Sequence, residues 1–308
     1  MTEPARTASL CPHCLRRIPA HRITENGAVY LAKSCPEHGD LERVLLWKNF
    51  PKPYNAWTRC VPPAGAESTE CPSNCGLCPD HKQKTCTAII EVTGQCNLRC
   101  PVCFAAAGME PRPAPDRDQI TRMLEMVRAS AGLCPIQISG GEPTMRNDLP
   151  EIVALAQAMG FDFIQINTNG IRLAQDEAYG RALVDAGATA MYLQFDGVTG
   201  SVYDEIRGAD LSPLKLKALE NCVKWQVGVI LVPTVVKRVN DDQIGTIIQF
   251  AKKWMPTVKG VHFQPMTYLG RYPVAPRNED RILLSDILAA IEDQTQGELK
   301  VENLLPSG

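Results

Sequence analysis

Thirteen cysteines stand in a chain of 308 residues, and most of them crowd into its first third at spacings that could hold metal. Cys11-Pro-His-Cys14 and Cys35-Pro-Glu-His38 form two short knuckles on either side of a hairpin-length segment. Their three thiols and one imidazole are the ligand set of a tetrahedral zinc or a mononuclear iron, and the set itself accepts either. His13, inside the first knuckle, reads as an exposed spacer. The other two groups share one spacing, Cys71-x3-Cys75-x2-Cys78 and Cys96-x3-Cys100-x2-Cys103. Cys86 completes the first to four thiolates, enough to close an iron–sulfur cubane. The second has no fourth cysteine nearby. Three thiolates leave one iron of a cubane open, and an open coordination position separates a reactive centre from a structural one. Cys134 and Cys222 stand alone among apolar residues and read as small buried thiols.

The elements that must position these groups are legible from about residue 87 onward. TAIIEVT, PIQIS, DFIQIN, TAMYLQFD, VGVILVPTVV and VKGVHFQP are short, β-branched, apolar runs that read as strands. Between them lie QITRMLEMVRAS, DLPEIVALAQAMG, AQDEAYGRALVDAG, SPLKLKALENCVKW and DDQIGTIIQFAKKWM, with apolar residues at helical spacing. Such alternation implies a parallel sheet covered by helices, either doubly wound or an incomplete eight-stranded barrel. In both, ligands gather at the carboxyl ends of the strands. Asn167, Thr168, Asn169 and Gly170 end the third strand, and Gln194 and Asp196 end the fourth. Single polar residues there also serve as helix caps.

Residues 1 to about 86 differ in kind. They are rich in Cys and Pro, with one convincing strand pair, AVYLAKS with LERVLLW, and too few apolar residues for a conventional core. Modules of this sort are held together by metal. With 32 Lys+Arg against 34 Asp+Glu, the net charge is -2, which gives no electrostatic footprint for nucleic acid or anionic membrane. The longest nearly apolar run, 227–236, contains Pro233 and is far shorter than a bilayer span. The first residues show no apolar segment behind their positive charge, so a reducing cytoplasm is the expected setting, and the cysteines are expected to bind metal rather than form disulfides.

CNLRCPVC at 96–103, behind the first strand of the alternation and followed by ISGGEPT at 138–144, resembles the radical S-adenosylmethionine superfamily over about residues 87–270. The resemblance implies an α/β fold, a partial (β/α)6 TIM-like barrel with an N-terminal Cys-rich metal-binding region. It implies a 4Fe-4S cluster on Cys96, Cys100 and Cys103 whose open iron is chelated by S-adenosylmethionine. One electron then cleaves the sulfonium, and the resulting 5'-deoxyadenosyl radical abstracts a hydrogen atom. In this reading Gly140 and Gly141 let backbone approach the cofactor, Glu142 offers a carboxylate to the methionyl amino group, and Pro143 stiffens the turn. Asn167, Asn169, Gln194 and Asp196 would touch the cofactor ribose or the substrate. VPTVVKRVND at 232–241 adds Thr234 and Asn240, and Phe104 would cover the adenine where the superfamily often has an aromatic residue at the position of Val102.

CPHCLRRIPA, SCPEHGD, CPSNCGLCPDHKQKTC and HFQPMTYLGRY, in this order, resemble the branch that holds archaeal tetraether lipid synthases and methyltransferases of 7,8-dihydro-6-hydroxymethylpterin. That branch implies a mononuclear metal on Cys11, Cys14, Cys35 and His38, and an auxiliary 4Fe-4S cluster on Cys71, Cys75, Cys78 and Cys86. The lipid synthases carry a longer C-terminal portion with further cysteines, and none follows Cys222 here. The expected organisation is a metal knuckle over 1–50, a linker with the auxiliary cysteines over 51–86, the radical core over 87–280, and a helix with a tail over 281–308. Two transferase reactions compete: carbon–carbon coupling on a lipid chain, and radical methylation of a pterin-like ring. Peptide modification is a third. An electron carrier or metal sensor, a different class, has no use for GGEP beside an open iron. The implied partners are a small-molecule or lipid substrate and a reductant such as ferredoxin or flavodoxin, with peripheral membrane contact only if the substrate is a lipid.

Overall fold

The computed structural model describes residues 5–48, 50–51, 85–108, 113–274 and 277–305. Cys71, Cys75 and Cys78 lie outside them, so the auxiliary-cluster expectation rests on sequence alone. Packing divides the chain into two compact units, Met1–Arg59 with Pro276–Gly308, and Cys60–Ala275.

The first unit is an antiparallel sheet of β1 (Ala5–Leu10), β2 (Arg17–Glu25), β3 (Ala28–Cys35), β4 (Gly39–Asp40) and β5 (Val44–Trp47). The strand pair legible in the sequence is β3 with β5, in which Val29 faces Trp47. The sequence pattern did not reveal β1 and β2. In β2 only Ile18 and Ala20 are buried, so its alternation is too polar to stand out. Trp47 and Val29 pack on Leu288 and Val301 in one small cluster, and Cys11, Ile18 and Cys35 form another. Clusters this small cannot carry a domain without a further tie.

The second unit strings its strands together with helices. In order along the chain they are β6 (Ala88–Glu91), α1 (Arg117–Ala131), β7 (Ile136–Ser139), α2 (Leu149–Ala158), β8 (Ile164–Thr168), α3 (Ile171–Gln175), α4 (Glu177–Asp185) and β9 (Ala190–Gln194). Then follow α5 (Gly200–Arg207), α6 (Ser212–Trp225), β10 (Gly228–Val232), β11 (Thr234–Val235), α7 (Ile244–Lys253), β12 (Val258–Val261) and β13 (Gln264–Pro265). Local chemistry sets several boundaries. Asp116 and Gln119 close a reciprocal capping box on α1, and Gly208 ends α5 in the left-handed conformation. The run 227–236, read as one strand, breaks at Pro233, which lacks the N–H a ladder needs.

The sheet order is β12-β10-β9-β8-β7-β6, all parallel. Strands follow chain order without reversal, so the sheet is singly wound. That decides between the two alternatives in favour of the partial barrel, because a doubly wound sheet must reverse. Right-handed crossovers of one sense put the helices on one face. Ile136, Ile138, Ile164, Ile166, Met191, Leu193, Val229 and Leu231 point into that helix layer and are buried. The alternate positions on the other face include Gln137, Gln165, Asn167, Tyr192 and Gln194. The carboxyl ends of β6, β7, β8 and β9 carry the residues singled out by spacing.

Candidate active site

The loop that leaves β6 carries Cys96, Cys100 and Cys103, and the turn that leaves β7 carries Gly140, Gly141 and Glu142. The two are clamped together by backbone. Gly141 N donates to Thr93 O at 2.8 Å and Glu142 N to Gln95 O at 2.8 Å. A Cβ on Gly140 would stand 2.2 Å from Thr93 O, and one on Gly141 2.3 Å from Gln95 O. The paired glycines are therefore required by the cysteine loop itself, which is a more immediate reason than approach to a ligand.

Glu142 has a structural role as well. Its carboxylate is buried and already takes four hydrogen bonds, from Thr144 N at 3.1 Å, Thr144 Oγ1 at 2.6 Å, Thr168 Oγ1 at 2.7 Å and Asn169 N at 2.7 Å. Burial pushes its pKa up, and these donors oppose the rise. A carboxylate so held ties the β7 turn to the end of β8, with three of the four donors on Oε1 and one, Asn169 N, on Oε2. Asn169 passes the link on: its Nδ2 donates to Asn97 Oδ1 at 2.7 Å, inside the cysteine loop. Lys215, fully buried on α6, donates to Asn169 O at 2.5 Å and to Gln194 Oε1 at 3.3 Å. Burial draws the Lys215 pKa down to about 8, with Asp196 opposing the drop.

Asp196, expected at a ribose or substrate, is a strut. It has no exposed surface, and its two oxygens pair with Arg207 Nε and Nη2, each at 2.7 Å. Arg207 Nη2 reaches Thr234 Oγ1 at 3.1 Å, and Nη1 reaches the Val102 carbonyl, within the cysteine loop, at 3.2 Å. Asn240 Nδ2 holds Asp196 O at 2.7 Å and Thr234 O at 2.9 Å. On the far side of the loop Arg271 exchanges backbone hydrogen bonds with Cys103 at 2.8 and 2.9 Å, and its Nε caps Cys100 O at 2.6 Å. Phe104 is 70% exposed, so its ring lies open to solvent. Sequence reasoning missed Arg207, Lys215 and Arg271. No spacing marks them, because Arg207 and Arg271 reach the loop, and Lys215 reaches Asn169 and Gln194, from distant elements.

Burial pushes the Cys96 thiol up to about 11, the Leu98 N–H opposes it, and Glu142, Cys100 and Cys103 add to the rise. Thiolates gathered beside a carboxylate ionise together only when a cation offsets them. The donor set therefore fits an iron cluster. In the first unit Cys11, Cys14, Cys35 and His38 bring their ligand atoms within 4.8 Å of one another. Cys14 Sγ lies 3.8 Å from Cys35 Sγ, and His38 Nδ1 lies 3.4 Å from Cys35 Sγ. That is the geometry of a single tetrahedral ion. His13 is exposed and stacks on His38, with ring centroids 4.9 Å apart. Cys86 is exposed.

A family model for the radical SAM superfamily matches residues 90–251. The chain belongs to the radical SAM superfamily. A second model, the HMPTM N-terminal zinc ribbon domain, matches residues 4–48, the stretch that holds Cys11, Cys14, Cys35 and His38. The chain is 42% identical to 7,8-dihydro-6-hydroxymethylpterin dimethyltransferase of Methanocaldococcus jannaschii, over 98% of this chain and 61% of that protein. It is 30% identical to GTP 3',8-cyclase of Alkaliphilus oremlandii, over 58% of this chain and 56% of the relative. It thus spans about three-fifths of the length of each of these relatives. Among solved structures it resembles Streptococcus suis SuiB bound to precursor peptide SuiA, at 16% identity and a TM-score of 0.52 over 69% of this chain and 45% of that one. It also resembles anSMEcpe with bound AdoMet, at 19% identity and 0.54 over 67% and 58%. At such identities the likeness is one of fold.

Membership in the superfamily brings a 4Fe-4S cluster and S-adenosylmethionine, and the ribbon brings a metal on its four ligands. Cys96, Cys100 and Cys103 lie on the loop that leaves β6, and Glu142 and Asn169, at the ends of β7 and β8, are hydrogen-bonded to that loop. Among the described residues no helix is long and apolar enough to cross a membrane.

Proposed function

We propose that this protein methylates a pterin-type heterocycle by radical chemistry. The observation that carries the reading is the 42% identity to a pterin dimethyltransferase, which runs through ribbon and core alike over 98% of the chain. Bound to the three thiolates, the cluster and S-adenosylmethionine supply a radical able to take hydrogen from an unactivated carbon. The chain's own residues hold the geometry. Glu142 fixes the β7 turn against Thr168 and Asn169, Asn97 is tied to Asn169, and Arg207 and Arg271 brace the cysteine loop from opposite sides. A loop restrained at this many points keeps cofactor and substrate carbon in one register, which is where proximity contributes to rate. Zinc or iron in the ribbon, an auxiliary cluster on Cys71, Cys75, Cys78 and Cys86, a ferredoxin- or flavodoxin-type reductant and a cytoplasmic setting complete the reading.

The test is anaerobic turnover of the iron- and sulfide-reconstituted chain with dithionite, methyl-labelled S-adenosylmethionine and 7,8-dihydro-6-hydroxymethylpterin, followed by mass spectrometry. A pterin product heavier by a methyl group supports the proposal. S-adenosylmethionine cleavage with an unchanged pterin refutes it.

A further inference from the structure

The sheet face turned away from the helices is polar where a lipid-binding barrel would be apolar. Gln137 of β7 stands opposite Gln165 of β8, and Asn167 of β8 opposite Tyr192 of β9. Three amides form a relay: Asn167 Nδ2 donates to Gln137 Oε1 at 3.4 Å, and Gln137 Nε2 donates to Gln165 Oε1 at 2.7 Å. The relay orients every amide in it and ends at Asn167 Oδ1, which is buried and has no hydrogen-bond partner among the described residues. Next to it the Tyr192 ring lies 5.6 Å from the ring of His262 at an interplanar angle of 52°. Two residues further along the chain, just past β8, Asn169 joins the cysteine loop through Asn97, so this face adjoins the cluster site.

A buried acceptor without a donor is rare in folded proteins and is completed by an ordered water, an ion or a bound group; beside the cysteine loop a bound group is in reach of it. An alkyl chain has no donor to offer and would leave the amides desolvated and unpaired. A flat heterocycle with an amino group beside a ring nitrogen has what the face lacks. Its N–H can reach the orphaned carbonyl, its acceptor can meet an amide N–H, as Asn and Gln read base edges, and its π-face suits an aromatic wall. We infer that Asn167, oriented by Gln137 and flanked by Tyr192, is the specificity-determining residue for substrate, and that its Oδ1 accepts from the 2-amino group of a pterin ring.

This inference rests on the pterin reading above, and the experiment separates their failures. The reconstituted full chain is titrated with fluorescent 6-hydroxymethylpterin and with its 2-oxo counterpart, which lacks the amino donor. Wild type is expected to prefer the pterin by roughly tenfold or more, the value of one hydrogen bond to an otherwise orphaned buried group. Asn167→Leu should lose that preference, whereas Asn167→Asp, which keeps an acceptor, should retain it. Iron content and circular dichroism report whether each variant folds. If the leucine variant does not fold, Gln137→Met, which frees the Asn167 amide to rotate, should erode the preference in its place. Equal binding of both ligands by wild type, or an undiminished preference in folded Asn167→Leu, overturns the role of Asn167 and leaves pterin methylation standing. Absence of any pterin binding by wild type overturns both.

Discussion

Replacing Arg207 with Met tests whether the Asp196–Arg207 pair is the strut that holds the cysteine loop. Asp196 has no exposed surface, the Arg207 side chain is 6% exposed, and both bonds of the fork are 2.7 Å long. Removing the guanidinium strands a buried carboxylate and frees the Val102 carbonyl and Thr234 Oγ1. Breaking a buried pair from one side costs about 3–5 kcal/mol. For a unit of this size that corresponds to a melting point lower by roughly 6–20 °C. Arg207→Lys keeps the charge but not the fork, so it should recover only part of the loss. The double variant Asp196→Asn with Arg207→Met removes both charges and should be more stable than Arg207→Met alone. Urea unfolding followed by circular dichroism measures all three, and iron content per chain reports whether the loop still retains its cluster. A loss below about 1 kcal/mol for Arg207→Met, the scale of an exposed pair, would refute the reasoning.

Gly141→Ala places a methyl group against the Gln95 backbone, 2.3 Å from its carbonyl oxygen, and should cost about 1–3 kcal/mol together with part of the iron. Gly260→Ala, which meets nothing within 4 Å, should stay within about 0.5 kcal/mol by the same denaturation assay. The folded chain releases the Lys215 proton near pH 8 and the unfolded chain near 10.5, so between those values the unfolded chain holds more protons and stability rises with pH. Lys215→Met should flatten that rise, by about 3 kcal/mol across the window, in urea melts run at several pH values. Cys35→Ser should empty the ribbon of its metal, read by elemental analysis, and His38→Ala should weaken retention, because the four side chains bring their ligand atoms together within 4.8 Å.

The helix-facing half of the sheet was legible because Ile, Val and Leu recur there at every second position, and the crossovers carry helical periodicity with caps such as Asp116. The cysteine groups were legible because thiol spacing within a loop is a local property. The polar half was written in the same strands, as the glutamines of PIQIS and DFIQIN. It was passed over because a run flanked by isoleucines reads as wholly apolar. The partners of Glu142 and Asp196 were not legible, because spacing gives position, not partners. Only the fold reveals that Thr168 and Asn169 donate to Glu142 and that Arg207 pairs with Asp196. Lys215 and Arg207 lie on α6 and α5, where Lys and Arg are ordinarily solvated, and only helix packing turns them inward. In the first unit, β2 eluded the pattern because two buried residues among nine give too weak an alternation.

The most direct test of the central claim is 5'-deoxyadenosine formation, with iron counted per chain, in reconstituted and reduced wild type, Cys100→Ala and Cys78→Ala. The account predicts cleavage of S-adenosylmethionine by wild type, none by Cys100→Ala, and residual cleavage with impaired product formation by Cys78→Ala. Equal loss in both folded variants, or no cleavage by folded, iron-loaded wild type, would contradict it.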